Sequence, residues 1–415
     1  MDPATSFAQT SAHNYDFWKQ KPVPKLRHKA VKSQQIKSDA EIRSKYASGT
    51  SITKLPLNFE WDTFEISDDA KMPDIARFLD LNYKSNYVTP ISVEKIRWET
   101  KSIGFFVCVR GSNTQDIVGC IGITERHIQI NADHINTAEC IYLCCDKEYR
   151  KSGMSKPLIN EAIRQAAIRN YNVGVFCTDR IIPSPISTIR YYSRPLDYKY
   201  LKTNDFTSVG DVDDDIAHDR IKIKLKPPKT VYIAEKTDIN IDIVLALYNE
   251  YMKSFNFHNI LSRADVEHYF FNPDFAYTIF YENEGRVTDF LCYRHFNIIN
   301  TDRVVTADDK YGNTIRATSI FAYSSNYFRP DILIINAFKV ISIRKHHLVY
   351  LPDTMGTNEV ILSPVKKGDE DTQDDEENAL FDQHIIKSRK KQFINMFNWE
   401  SPVLSQDMVS YLLFN

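Results

Sequence analysis

Short apolar runs bounded by turn residues alternate along this chain with stretches in which apolar residues recur at helical spacing. FFVCVRG (Phe105–Gly111) and DIVGCIGI (Asp116–Ile123) read as strands joined by a Ser-Asn-Thr turn. A third run, Cys140 to Cys145, stops at a charged loop, Asp146 to Ser155. A helix-like segment follows at once, with Leu158, Ile159, Ala162, Ile163 and Ala166 on one face. Val173–Cys177 predicts a further strand, and Pro73–Tyr83 carries Ile75, Phe78, Leu79 and Asn82 at helical spacing. The run Leu225-Lys226-Pro227-Pro228-Lys229 marks a break, after which the pattern restarts. Ile241–Phe255 and Ser262–Phe270 read as helices, Ala276–Tyr281 and Val287–Phe296 as strands around an Asn-Glu-Gly turn. Thr314–Tyr323 then reads as a strand and Asp331–Ile343 as a helix. Strand–strand–helix order thus occurs in both halves. No sequence identity links them, so an internal repeat is inferred from order alone.

The block from Glu139 to Glu161 is the most informative. Strand, basic loop with one glycine, helix: that arrangement holds a phosphate on backbone N–H groups at a helix N-terminus. A chain of 415 residues is too long for one ordinary core. Its 43% hydrophobic and 26% charged residues are those of a soluble globular protein, and a net charge of −2 gives no push toward nucleic acid or an anionic membrane. No apolar run reaches the roughly 18 residues of a membrane span, and the N-terminus has no signal-peptide pattern. The seven cysteines, several inside strand-like runs, read as reduced thiols in a cytoplasmic protein. Without a CxxC pair or HExxH, no metal site is expected. Residues 1–14 read as a disordered tail, 25–45 as a basic solvated linker, and 368–377 as an acidic solvated insert.

Five blocks in order, from Tyr15 to Asn415, resemble the glycylpeptide N-tetradecanoyltransferases, the protein N-myristoyltransferases. They are YDFWKQKPVPK, LPLNFEW (Leu55–Trp61), the strand and loop ECIYLCCDKEYRKSGMS, IIPSPISTIRYYSRPL, and a second-half set of LSRADVEHYF, VTDFLCY and FNW. The resemblance implies an α/β fold: a mixed sheet built from two fused acetyltransferase-like (GNAT) halves in pseudo-twofold arrangement. The halves would be 15–224, binding myristoyl-CoA, and 230–415, supplying most of the peptide site. It implies transfer of myristate from myristoyl-CoA, as co-substrate and with no prosthetic group, to the N-terminal glycine amine of target proteins. The chain is expected to act as a monomer.

Such chemistry needs a base, because a glycine α-amine with a pKa of about 8 is largely protonated at neutral pH. It also needs fixed N–H donors for the thioester oxyanion in a dry site. The resemblance implies the amides of Tyr142 and Leu143 as those donors, freed by a strand bulge, and the terminal carboxylate of Asn415 as base. Asp16, Phe17 and Trp18 would pack around the CoA and the start of the acyl chain, with Tyr142, Leu143, Cys144 and Cys145 on the strand. Lys151, Gly153, Met154 and Ser155 would hold the phosphates. Tyr83, Cys177, Tyr191, Ser193 and Cys292 are expected along the peptide groove. On pattern alone, Phe17 and Trp18 read equally as core anchors, Arg150 and Lys151 as a solvated turn, and the apolar C-terminal run as an edge strand.

The chain departs from the family at points that matter. Ile141 replaces the asparagine before the oxyanion pair, Gly153 replaces a loop arginine, and Cys177 and Ser193 replace a threonine and a histidine. Lys84 stands where the family has an acidic loop, which predicts weaker preference for lysine further along the substrate. Two other readings therefore stay open: a GNAT-type transferase of another acyl-CoA, and a non-catalytic acyl-CoA or peptide binder.

Overall fold

The apolar runs become strands of one sheet and the periodic stretches become helices on its faces. This computed structural model describes residues 16–25, 29–48, 53–83, 87–150, 152–181, 184–206, 223, 226–306, 309, 312–357 and 385–412. The expected tail 1–14 and insert 368–377 lie outside them.

The strands of the first half are β1 (Gln34–Gln35), β2 (Phe59–Glu65), β3 (Tyr87–Val88), β4 (Phe105–Gly111), β5 (Ile117–Ile130), β6 (Asp133–Cys145), β7 (Gly174–Thr178) and β8 (Ser187–Pro195). Those of the second are β9 (Val231–Ile233), β10 (Phe257–Asn259), β11 (Ala276–Asn283), β12 (Arg286–Asn300), β13 (Thr314–Ser324), β14 (Leu348–Pro352), β15 (Ile386–Phe397), β16 (Trp399–Glu400) and β17 (Val409–Ser410). The helices are α1 (Asp39–Tyr46), α2 (Met72–Asn82), α3 (Val93–Thr100), α4 (Ser155–Ile168), α5 (Tyr198–Thr203), α6 (Asp238–Met252), α7 (Arg263–Phe270) and α8 (Pro330–Ile343).

One unit is built twice. In the first half β2, β4, β5 and β6 pair antiparallel in that order, α4 crosses over, and β7 pairs parallel with β6. In the second half β9, β11, β12 and β13 do the same, α8 crosses over, and β14 pairs parallel with β13. Each unit is completed by the other. β15 lies against β7, β8 lies against β14, and β15 and β8 pair with each other. The far ends of the long strands are exchanged likewise, β10 pairing with β5 and β3 with β12. This is the mixed sheet in pseudo-twofold arrangement that the resemblance implies.

The basic stretch 25–45 departs from its reading as a solvated linker. Its β1 pairs with β16, and α1 follows with a capping box between Ser38 and Glu41. Ile42 and Tyr46, four residues apart, seat α1 against Trp18, Ala167 and Phe397. Two apolar anchors in a charged stretch are too few to show as periodicity.

The halves are joined by a buried polar cluster. Arg126 Nε on β5 donates to Glu139 Oε2 on β6 at 2.7 Å, and its Nη1 to the Tyr269 hydroxyl of α7 at 2.7 Å. Tyr411, beyond β17, donates to Glu139 Oε1 at 3.1 Å. Removing one partner of a buried ion pair strands the other charge. Arg126→Leu is therefore expected to lower the free energy of unfolding by about 3–5 kcal/mol, read from the denaturant midpoint. A loss below about 1 kcal/mol, the worth of an ordinary surface pair, would show that the cluster does not join the halves.

Candidate functional site

Pairing between β6 and β7 stops at Cys140–Phe176, although β6 runs on to Cys145 and β7 to Thr178. The strands part there, and a cavity of about 1160 Å³ opens between them. One arm is apolar. It runs over Ile121 and Ile123 of β5, Ala138 and Cys140 of β6, and the face of α4 made by Ile159, Ala162, Ile163 and Ala166. Trp18 closes it from the side, its ring stacked on Phe176 with centroids 5.1 Å apart. The other arm is mixed and faces the second half, with Tyr83, Lys95, Glu99, Cys177, Arg294 and Gln392 on its walls.

The arms meet at a bulge in β6. Cys144 pairs with Cys120 and Ile141 with Gly122, so Tyr142 and Leu143 together stand opposite Ile121, outside the ladder register. Tyr142 takes a φ of 50°, the left-handed region that a side chain disfavours. Its carbonyl accepts from the Cys120 thiol at 3.6 Å, and its phenol donates to Glu99 Oε2. The Tyr83 ring meets the Tyr142 ring edge-on at 6.2 Å. The backbone departure expected between Ile141 and Cys144 is thus present, and both bulge residues line the cavity.

After β6, Asp146 caps a short turn, Lys147–Tyr149, through the Glu148 amide. Arg150 then spends its guanidinium on the carbonyls of Asn82 and Cys145, pinning the loop to the end of α2. Gly153 turns the chain at φ 88°. Among the described residues no side chain caps α4, and no acid stands in its first turn, so those residues leave the positive end of that helix open. Ser155 and Lys156, its first residues, line the cavity.

The second unit has the same loop in another state. Between β13 and α8 the amides of Asn326 and Tyr327 donate to Asp289 Oδ1 at 2.5 and 2.9 Å, and that of Phe328 to Oδ2 at 3.2 Å. Here the chain's own carboxylate occupies the nest of N–H groups.

Other expected residues fall on and off this site. Phe17, Trp18, Tyr83, Tyr142, Leu143, Ser155 and Cys177 line the cavity. Asp16 is exposed and off the cavity wall, while Met154 is buried beneath Gly119. Cys144 is buried in the core under α2, and Cys145 is half-buried off the cavity. Tyr191 packs beside the β7–β15 core, where burial pushes its phenol up to about 12. Ser193 sits buried mid-sheet, paired with Tyr350 and Ile386. Cys292 is a core residue of the second half, its thiol 3.5 Å from the Thr278 hydroxyl. The structure does not bring Tyr191, Ser193 or Cys292 onto the cavity wall. Lys84, Lys151 and Asn415 lie outside the described residues.

Glu99 was not anticipated. Nothing in the sequence of the short helix VEKIRWET singled it out, yet its side chain is only 4% exposed. Burial pushes its carboxyl above the ordinary value, against the pull of Lys95, Arg294 and the Tyr142 phenol. No group of histidine, cysteine and carboxylate side chains placed to hold a metal occurs among the described residues.

The family model described as "Myristoyl-CoA:protein N-myristoyltransferase, N-terminal domain" matches residues 39–189. A glycylpeptide N-tetradecanoyltransferase of Candida glabrata is 26% identical over 329 residues, 73% of this chain and 70% of that protein. One of Kluyveromyces lactis is 28% identical over 314 residues, 71% of this chain and 68% of that one. One of Schizosaccharomyces pombe is 23% identical over 391 residues, 86% and 81% respectively. In structure, Saccharomyces cerevisiae N-myristoyltransferase with bound myristoyl-CoA superposes with a TM-score of 0.77 at 18% identity, covering 96% of this chain and 99% of that one.

Proposed function

We propose that this chain, a divergent member of the N-myristoyltransferase family, moves myristate from myristoyl-CoA to the N-terminal glycine amine of target proteins, working in the cytoplasm as a monomer. The observation that carries this reading is the apolar arm ending at a strand bulge beside an uncapped helix start. The acyl chain lies in the arm, the thioester carbonyl at the bulge, and the CoA phosphates over Gly153 and the first turn of α4.

The amine lone pair attacks the thioester carbon, and the carbonyl electrons move to oxygen, where the amides of Tyr142 and Leu143 receive them. Collapse of the adduct breaks the C–S bond. CoA leaves as a thiolate, stable enough with a thiol pKa of about 8.5 to need no strong acid. Two protons leave the nitrogen: the base, for which the carboxylate of Asn415 is our candidate, takes the first from the glycine ammonium to free the lone pair before attack, and the departing thiolate takes the second. Tyr83 and Cys177 flank the incoming peptide.

The apolar lining from Ile121 and Ile123 to Ile159, Ala162, Ile163 and Ala166 supports a long-chain donor over acetyl. Burying a fourteen-carbon chain is worth on the order of 10 kcal/mol at about 0.8 kcal/mol per methylene, binding an acetyl donor cannot use. Helix α4 meets that arm with small residues at Ala162 and Ala166.

Three outcomes are expected. A peptide beginning with glycine, incubated with myristoyl-CoA, gains the mass of one myristoyl group, and the same peptide beginning with alanine does not; no gain in either sinks the reading. Ala166→Phe fills the arm and lowers transfer from myristoyl-CoA by roughly 15-fold, about two methylenes' worth of burial, while shorter acyl-CoAs lose less. Unchanged chain-length preference would move the acyl chain out of this arm. Finally, residues appended after Asn415 abolish turnover but leave myristoyl-CoA binding intact; full activity of that variant removes the carboxylate from the mechanism.

A further inference from the structure

Tyr142 holds a conformation that its own side chain opposes by about 1–2 kcal/mol. Such a residue persists only where its surroundings over-determine it. Two attachments do so here. The Cys120 thiol takes its carbonyl, and Glu99 takes its phenol.

Glu99 is itself fixed from every side. Its main-chain oxygen accepts from Arg126 Nη2 of β5 at 2.6 Å and from the Tyr269 hydroxyl of α7 at 3.4 Å. Its Oε1 lies 3.9 Å from Lys95 Nζ on its own helix and 3.9 Å from Arg294 Nη1 on β12, and accepts no hydrogen bond. A buried carboxylate left half-satisfied is a costly way to fill space. Two cations beside its second oxygen repel an arriving ammonium, and the first oxygen is already taken by the phenol. The group is built to hold Tyr142 rather than to collect a proton.

We propose that Glu99 is a positioning residue for acyl transfer: by anchoring the Tyr142 phenol it keeps the β6 bulge in the left-handed turn that leaves the amides of Tyr142 and Leu143 outside the ladder. The inference rests on those amides being the oxyanion donors. Neither residue touches the reacting atoms through its side chain. The effect passes through the backbone of Tyr142.

The test uses the full chain and measures kcat, KM for each substrate, the pH profile and direct binding of myristoyl-CoA. Tyr142→Phe and Glu99→Ala should each lower kcat by about 100-fold, the cost of a slight misplacement at the reacting centre. Myristoyl-CoA binding should stay within about threefold, which also shows the variants to be folded. The double variant should be no slower than the worse single one, because both break the same link. Glu99→Gln keeps an acceptor for the phenol and should recover most of the kcat lost in Glu99→Ala, with an unshifted pH profile. The proposal is overturned if Glu99→Gln is as slow as Glu99→Ala with the acid limb of the profile gone, since Glu99 then handles the proton. It is equally overturned if Tyr142→Phe matches the wild type, and that variant decides alone should Glu99→Ala not fold. A wild-type chain that transfers no acyl group defeats the function proposed above and this inference with it. A wild type that transfers, with variants that match it, defeats this inference only.

Discussion

The buried pair of Arg126 and Glu139 stands where the sheet divides. Glu139 is the residue before Cys140, the last position at which β6 still pairs with β7. Beyond it the strands part and the cavity begins. A carboxylate at that point must be neutralised: Arg126 of β5 pairs with it and also donates to Tyr269 of α7, and Tyr411, beyond β17, donates to its other oxygen. The fork is therefore fixed by contacts from both halves. The apolar arm, the bulge and the loop before α4 all take their positions from it. Arg126 reaches further still, since its Nη2 holds the main chain of Glu99 and so joins the fork to the anchor of Tyr142.

The strands flanking the fork were legible because each is locally determined. β4 and β5 are apolar runs on either side of a short turn, and α4 shows its apolar face at helical spacing. The exchange of β8 and β15 was not legible. Those strands meet partners from the opposite half, and pairing across such separations leaves no local pattern. Helix α1 was missed for the opposite reason, since its cap and two anchors are local but its composition is that of a linker.

At the site, the loop between β6 and α4 could be read from strand, glycine and helix start alone. The bulge could not, because nothing in IYLCC distinguishes a regular strand from one that steps out of register; only the family resemblance singled out Tyr142 and Leu143. Glu99 escaped both routes. Its environment is supplied by β5, β6, α7 and β12, four elements distant in sequence. Ser193 and Cys292 show the converse. Each was placed by its position in a matching block, and each faces the interior of the sheet rather than the cavity.

The repeated unit explains why one half alone is open to an anion. Both halves form a bulge, a loop and a crossover helix in the same order. Counting outward from the two bulges, Asp289 of β12 stands where Ile117 stands in β5. The aspartate draws three loop amides onto itself and closes the second nest. The isoleucine offers the first loop nothing, so the positive end of α4 is left for a ligand's charge. A carboxylate within hydrogen-bond reach of the same amides excludes a phosphate both by occupancy and by like charge. Asp289, together with Asp331 in the first turn of α8, thus separates two copies of one architecture.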